Sequence, residues 1–168
     1  MAVAHRRVAL VTGSSRGLGA VIARRLARDG FAVAVNGRPG DEGVTAVARA
    51  IREDGGTAGG FCADVTDEDQ VAGLVTAITG ALGPVDVLVL NATGPQPEAP
   101  VTEVGWADHV AQLDFFVKSP VLLGRLPVRG EVVLTAQPVV VHPGRVGMAG
   151  IEPRHILPRH TGDPNARH

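Results

Sequence analysis

Tyrosine is absent from this 168-residue chain, and aromatic residues of all kinds make up only 3% of it. No phenol is therefore available for proton transfer anywhere in the chain. Cysteine occurs once, so no internal disulfide can form, and a reducing, cytoplasmic setting is expected. The lone Cys62 lies in an apolar run and reads as a small buried hydrophobe. Lysine is also reduced to one, Lys118, against fifteen arginines, the usage of a GC-rich coding sequence. A net charge of −1 at pH 7 leaves no basic footprint for nucleic acid or for an anionic membrane surface. No apolar run approaches a membrane span, and Met1–Arg7 lacks the apolar core and cleavage site of a secretory signal.

What is present fits one globular domain with a real core: 45% apolar and 20% charged residues. Short apolar runs alternate with helical periodicity. Val8–Val11, Phe31–Val35, a segment within Thr57–Ala63, and Val85–Leu90 read as strands. From Gly17 a helix sets Leu18, Val21, Ile22 and Leu26 on one face. Asp41–Asp54 is a second helix, with Val44, Val47, Ala48 and Ile51 at helical spacing. Thr66 followed by Asp69 predicts a capped start for a third, which aligns Val71, Leu74, Val75, Ile78 and Leu82. A long helix is expected over 103–126, striped by Trp106, Val110, Leu113 and Val117 and kinked at Pro120. Alternating strands and helices imply an α/β fold with a parallel sheet and right-handed crossovers.

The most informative segment is Thr12-Gly13-Ser14-Ser15-Arg16-Gly17-Leu18-Gly19, between the first strand and the first helix. Gly13 permits a sharp turn, while Gly17 and Gly19 let backbone and helix approach a pyrophosphate. The helix N-terminus offers unpaired N–H groups and a positive dipole end to an anion. Two further segments fall where a nucleotide site needs them. Asp64, beside Val65, either accepts a hydrogen bond from adenine or caps the next helix. Asn91-Ala92-Thr93-Gly94 either brings backbone near a ribose or is a plain turn.

These motifs, Thr12 to Gly19, Asp64-Val65 and Asn91-Ala92, closely resemble the short-chain dehydrogenase/reductase family, over about residues 6–126. The nearest flavour is the 3-oxoacyl-carrier-protein reductase branch. The family's fourth-strand motif is usually Asn-Asn-Ala-Gly, so Asn91–Gly94 matches in part. The resemblance implies a Rossmann-like, doubly wound parallel sheet, here incomplete in its C-terminal half. It implies a dinucleotide cofactor and a small carbonyl or alcohol substrate. Residues Gly13, Ser14, Ser15, Arg16, Gly17, Leu18, Gly19, Arg38, Asp64, Val65, Asn91 and Ala92 are then the cofactor contacts. The second strand ends Val35-Asn36-Gly37-Arg38, without the acid that holds the ribose 2′-OH in NAD sites. Arg38, helped by Arg16, can instead pair with a 2′-phosphate, which favours NADP(H) over NAD(H). Otherwise both arginines are solvated surface charges.

The family's proton chemistry uses a tyrosine, a lysine four residues later and a serine on the fifth strand. No catalytic residue is assigned in this chain. With Gly130–Ala136 as the fifth strand, the serine position falls near Ala136 or Gln137, with Thr135 a poor stand-in. The Tyr-x-x-x-Lys region falls near Gly150–Arg154, and the family's helix-four asparagine near Phe116. No metal set is expected from His142, His155 and His160, since no ligand spacing recurs. Residues 127–168 hold six of the twelve prolines and four of the six histidines. This change of texture suggests a frame-disrupted or truncated reductase: a cofactor-binding portion over 1–126, then a divergent tail, disordered after one strand at 130–136. The family's interface helix lies at 103–126, where Leu113, Phe115, Phe116, Val121 and Leu122 would form an exposed apolar patch. Homo-oligomers or aggregation are therefore expected. Function divides between an impaired oxidoreductase acting on a ketone or secondary alcohol, a catalytically silent nucleotide-binding or interaction module, and a non-functional fragment.

Overall fold

The computed structural model describes residues 6–94, 99–100, 102–127, 129 and 131–134, the last four as backbone. The tail expected to be disordered, with His142, His155, His160 and the Gly150–Arg154 region, lies outside the described residues. Five strands form one parallel sheet: β1 (Val8–Val11), β2 (Ala32–Gly37), β3 (Thr57–Cys62), β4 (Val85–Leu90) and β5 (Glu131–Leu134). Their order is β3-β2-β1-β4-β5. The chain winds outward from β1 in one direction and then from β4 in the other, which makes a doubly wound Rossmann-like sheet. Between strands run α1 (Gly17–Arg28), α2 (Glu42–Glu53) and α3 (Glu68–Ala81). After β4 come α4 (Trp106–Leu113), a π-helical segment (Asp114–Lys118) and α5 (Ser119–Gly124). Among the described residues no helix is long and apolar enough to cross a membrane.

The strands are apolar at successive positions because both faces of the sheet are covered. Val8, Leu10, Ala32, Ala34, Leu88 and Leu90 pack with Val71, Leu74 and Ile78 of α3 and Leu122 and Leu123 of α5. The alternate residues Ala9, Val11, Val33, Val35, Val87 and Val89 pack with α1 and α2. The pleat sends each set to its own side.

α1 departs from the expected face. Leu18 and Val21 are exposed, and the buried residues are Gly19, Ala20, Ala23 and Ala27. Small residues let this helix lie close on the sheet, and that closeness outweighs the burial of larger side chains. The start of α3 also differs: Asp67, not Thr66 or Asp64, caps it, accepting from the Gln70 N–H. Cys62 is exposed, because it is the last residue of the edge strand β3. The single helix expected over 103–126 is broken. The Ser119 N–H reaches the carbonyl of Asp114, five residues back. Pro120 has no N–H to donate and its ring crowds the carbonyl four residues earlier, so the turn before it widens. Of the expected patch, Leu113 and Val121 are exposed, Phe115 and Phe116 are partly buried, and Leu122 is buried.

Buried polar groups lock the carboxyl ends of the strands together. Thr12 Oγ1 donates to the Val89 carbonyl (3.2 Å) and accepts from the N–H groups of Asn91 (3.0 Å) and Ala92 (3.1 Å). Asn91 Nδ2 donates to the carbonyls of Thr12 and Gly13, each at 3.0 Å. On the other side Asn36, 1% exposed, donates to the carbonyls of Phe61 (3.2 Å) and Ala63 (3.3 Å). Its Oδ1 accepts from the Gly13 N–H at 3.4 Å, and its own N–H donates to Ser14 Oγ at 3.0 Å. Four side chains thus tie β1, β2, β3 and β4 to one loop.

Asn36→Ala leaves several of these buried groups unpaired and is expected to cost roughly 2–4 kcal/mol, read as a lower urea midpoint at unchanged slope. Asp41, the N-cap of α2, supplies a pH test. Its carboxylate accepts from the Ser15 hydroxyl and the Gly43 N–H and lies near Arg16, which lower its pKa from the ordinary 3.8. A depressed folded value means that this stabilisation is present above the unfolded pKa and is lost as pH falls below it. Urea unfolding at successive pH values should therefore show a shallower acid decline in Asp41→Asn than in the parent chain.

Candidate functional site

The carboxyl ends of β1, β2 and β4 open into a cleft of about 640 Å³, lined by Gly13, Ser15, Arg16, Leu18, Asn36, Gly37, Arg38, Asp41, Ala63, Asp64, Val65, Asn91, Ala92, Thr93, Gly94 and Phe115. It straddles β1 and β4, the point where the strand order reverses and where ligands of such sheets bind. Its size suits a cofactor. Nine of the twelve sequence-predicted contacts meet there: Gly13, Ser15, Arg16, Leu18, Arg38, Asp64, Val65, Asn91 and Ala92. Ser14, Gly17 and Gly19 do not line it. Ser14 is buried, with its hydroxyl donating to the Val11 carbonyl at 2.7 Å, so it braces the loop from beneath. Gly17 has φ +55°, a conformation that favours glycine.

The loop glycines fit a tight cradle. Gly13 has φ +60°, and a Cβ there would stand 2.7 Å from Cα of Ala92. A Cβ on Gly19 would collide with the Gly13 carbonyl oxygen and Asn91 Nδ2. These contacts bring α1 directly under the loop. Its N-terminus is unlike those of α2 and α3, which carry aspartate caps and acidic first turns. α1 has neither a side-chain cap nor an acid in its first turn. Its leading N–H groups have no intrahelical partner, and its positive dipole end is left uncompensated. That is the arrangement an anionic phosphate group requires.

The flanking residues divide into scaffold and lining. The Asn91 side chain is spent on the loop carbonyls, so only its remaining surface and Ala92 face the cleft. Asp64 Oδ1 accepts from both the N–H (2.9 Å) and the hydroxyl (2.7 Å) of Thr66, which fixes the turn into α3. Arg38 is exposed and lays its guanidinium over the Phe115 ring, 5.2 Å from the centroid. Sequence reasoning missed Asn36, Asp41 and Phe115. A lone amide in an otherwise apolar strand was the available sign for Asn36. Phe115 enters the cleft through the π-helical segment, which no heptad or helical count anticipates. Among the described residues no group of three or more His, Cys, Asp or Glu is placed to hold a metal ion.

Comparison with known proteins agrees with this geometry. The family model for short chain dehydrogenase matches residues 7–126. Cis-4-hydroxycyclohexanecarboxylate dehydrogenase of Sinomonas cyclohexanicum is 41% identical over 125 residues, which is 73% of this chain and 49% of that protein. A putative ketoacyl reductase of Streptomyces coelicolor is 44% identical over 95 residues, 56% of this chain and 36% of that protein. This chain thus spans about half or less of the length of these curated relatives. A metagenomic short-chain oxidoreductase solved in complex with NADP superposes with a TM-score of 0.68 at 34% identity, covering 76% of this chain and 61% of that one. With the glycine loop, the sheet order and the family match in agreement, the chain belongs to the short-chain dehydrogenase family.

Proposed function

We propose that this chain holds the dinucleotide half-site of a short-chain oxidoreductase and takes NADP(H) in preference to NAD(H). The observation that carries the reading is the uncapped, acid-free N-terminus of α1, set under a glycine loop at the switch point of the sheet. Gly13, Ser15, Arg16 and Leu18 would face the pyrophosphate, with Ser14, Gly17 and Gly19 shaping the loop and helix start that hold them. Asp64 and Val65 would border the adenine, and Asn91 and Ala92 the nicotinamide-side ribose. Arg16 and Arg38 supply the positive charge suited to a 2′-phosphate. The NADP held by one solved relative supports the same preference. When bound, such a cofactor supplies or accepts a hydride at a carbonyl or alcohol carbon. The substrate class is a ketone of the 3-oxoacyl type or the corresponding secondary alcohol, and the setting is the cytoplasm.

The proton side of that reaction is weak here. The chain has no tyrosine, and its single lysine, Lys118, sits exposed on the π-helical segment. Loss of a positioned general acid costs about 10²–10⁴ in rate. This absence favours a second reading, a nucleotide-binding or interaction module without turnover, and a third and plainer one, a non-functional fragment. The exposed stripe Trp106, Val110, Leu113, Val117 and Val121 runs at helical spacing through α4, the π-helical segment and α5. Apolar faces of this kind are covered by association, and we assign it to a homo-oligomer.

Fluorescence titration with NADPH, followed by its oxidation against ketones and a 3-oxoacyl thioester, tests the proposal. Saturable NADPH binding is expected, with turnover depressed by about the factor a missing general acid implies. Full turnover would overturn the impairment, and no NADPH binding would leave only the fragment. Gly19→Val should abolish NADPH binding by forcing α1 from the loop. Leu113→Glu combined with Val117→Glu should lower the sedimentation-derived mass to that of one chain; an unchanged mass would sink the interface assignment.

A further inference from the structure

Although the second strand carries no acid at its end, a carboxylate stands in that corner. The Arg38-Pro39-Gly40-Asp41 turn folds back, with the Asp41 N–H donating to the Arg38 carbonyl at 3.1 Å and Gly40 at φ +83°. This sets Asp41 beside Gly37, the last residue of β2. A Cβ built on Gly37 would lie 3.2 Å from Asp41 Oδ2. The same Cβ would lie only 2.5 Å from Val44 Cγ2, so β2 has no room to end on a larger side chain, and the acid beside that position is the one Asp41 supplies. It lines the same cleft as Ser15, Arg16 and Arg38. Three groups fix it: the N–H of Gly43 at 3.0 Å, the hydroxyl of Ser15 and the nearby Arg16.

The positive charges are placed differently. Arg38 turns across the cleft onto Phe115. The ion pairs among the described residues, Arg25–Asp29 and Arg49–Glu53, involve neither Arg38 nor Arg16. The carboxylate anchored beside the end of β2 is negative, with Arg16 near it, and Arg38 must leave the Phe115 ring to meet a 2′-phosphate. A ribose 2′-OH donates a hydrogen bond and suits a carboxylate acceptor. A 2′-phosphate only accepts, and it brings like charge to within a few ångström.

We propose that Asp41 is a specificity-determining residue of this cleft, accepting from the 2′-OH of an unphosphorylated dinucleotide and opposing a 2′-phosphate, so that discrimination between NADPH and NADH is narrow. The proposal rests on the dinucleotide reading above and adds to it a residue that works against the two arginines.

The test titrates the full chain, as parent, Asp41→Asn and Asp41→Ser, with NADPH and with NADH at fixed ionic strength. Asn and Ser both serve as helix N-caps, so α2 keeps its start and thermal melting stays close to that of the parent. The parent is expected to bind the two cofactors within about tenfold of each other. Asp41→Asn should tighten NADPH about tenfold through removal of the like charge. It should leave NADH within about twofold, because its carbonyl still accepts from the 2′-OH. Asp41→Ser, with a shorter side chain, should also weaken NADH. The gain for NADPH should shrink at high salt, which a purely structural effect would not do. An unchanged NADPH-to-NADH ratio in both variants, with binding and melting intact, would overturn the role of Asp41 alone. Failure of the parent to bind either cofactor would overturn the dinucleotide reading, and this proposal with it.

Discussion

The site depends on the closure of the glycine loop by buried amides. A loop between a strand and a helix is free to take many shapes, and its backbone groups lose water when helix and sheet pack around it. Asn36 and Asn91 hold it from opposite sides, one through the Gly13 N–H, the other through the carbonyls of Thr12 and Gly13. Thr12 and Ser14 complete the set with hydroxyls that turn to suit their partners. No described side chain leaves a fully buried polar atom without a partner. Such a network is worth most when complete, so the loop's shape is a property of four strands together rather than of the glycine motif alone.

Much of this was legible in the sequence. Continuous apolar runs marked the strands, β5 within 130–136 included, because β1, β2 and β4 are buried on both faces, and the 3.6-residue period marked three helices. The glycine spacing, with a strand before and a helix after, marked the cleft. Three kinds of information were not local. The pattern of large apolar residues predicts the wrong face of α1 because alanine carries little hydrophobic weight, yet Ala20, Ala23 and Ala27 are what a close helix–sheet contact selects. The apolar neighbours of Cys62 predict burial, whereas its exposure depends on β3 being an edge strand. In the sequence Asp41 marks only the start of a helix, since nothing in one dimension says that a turn will bring it back beside Gly37.

The π-helical segment shows how one residue's chemistry moves another. Pro120 widens the turn before it, and the widened turn carries Phe115 to the cleft wall beside Gly94. A Cβ on Gly94 would stand 2.5 Å from the Phe115 ring, so a glycine in one loop and a proline in a helix serve the same ring. Side chains of the outward stripe are left facing away from the core by the same geometry.

The position of Arg38 on that ring has a thermodynamic consequence. A guanidinium over a partly buried aromatic ring is held by about 0.5–1 kcal/mol or more. Any ligand that recruits Arg38 must first detach it, and that fraction of the new contact is returned to the ring rather than to affinity. The measured strength of an arginine–phosphate pair in this cleft would therefore be a difference between two attachments of the same side chain, and replacing Phe115 would alter it without touching the ligand.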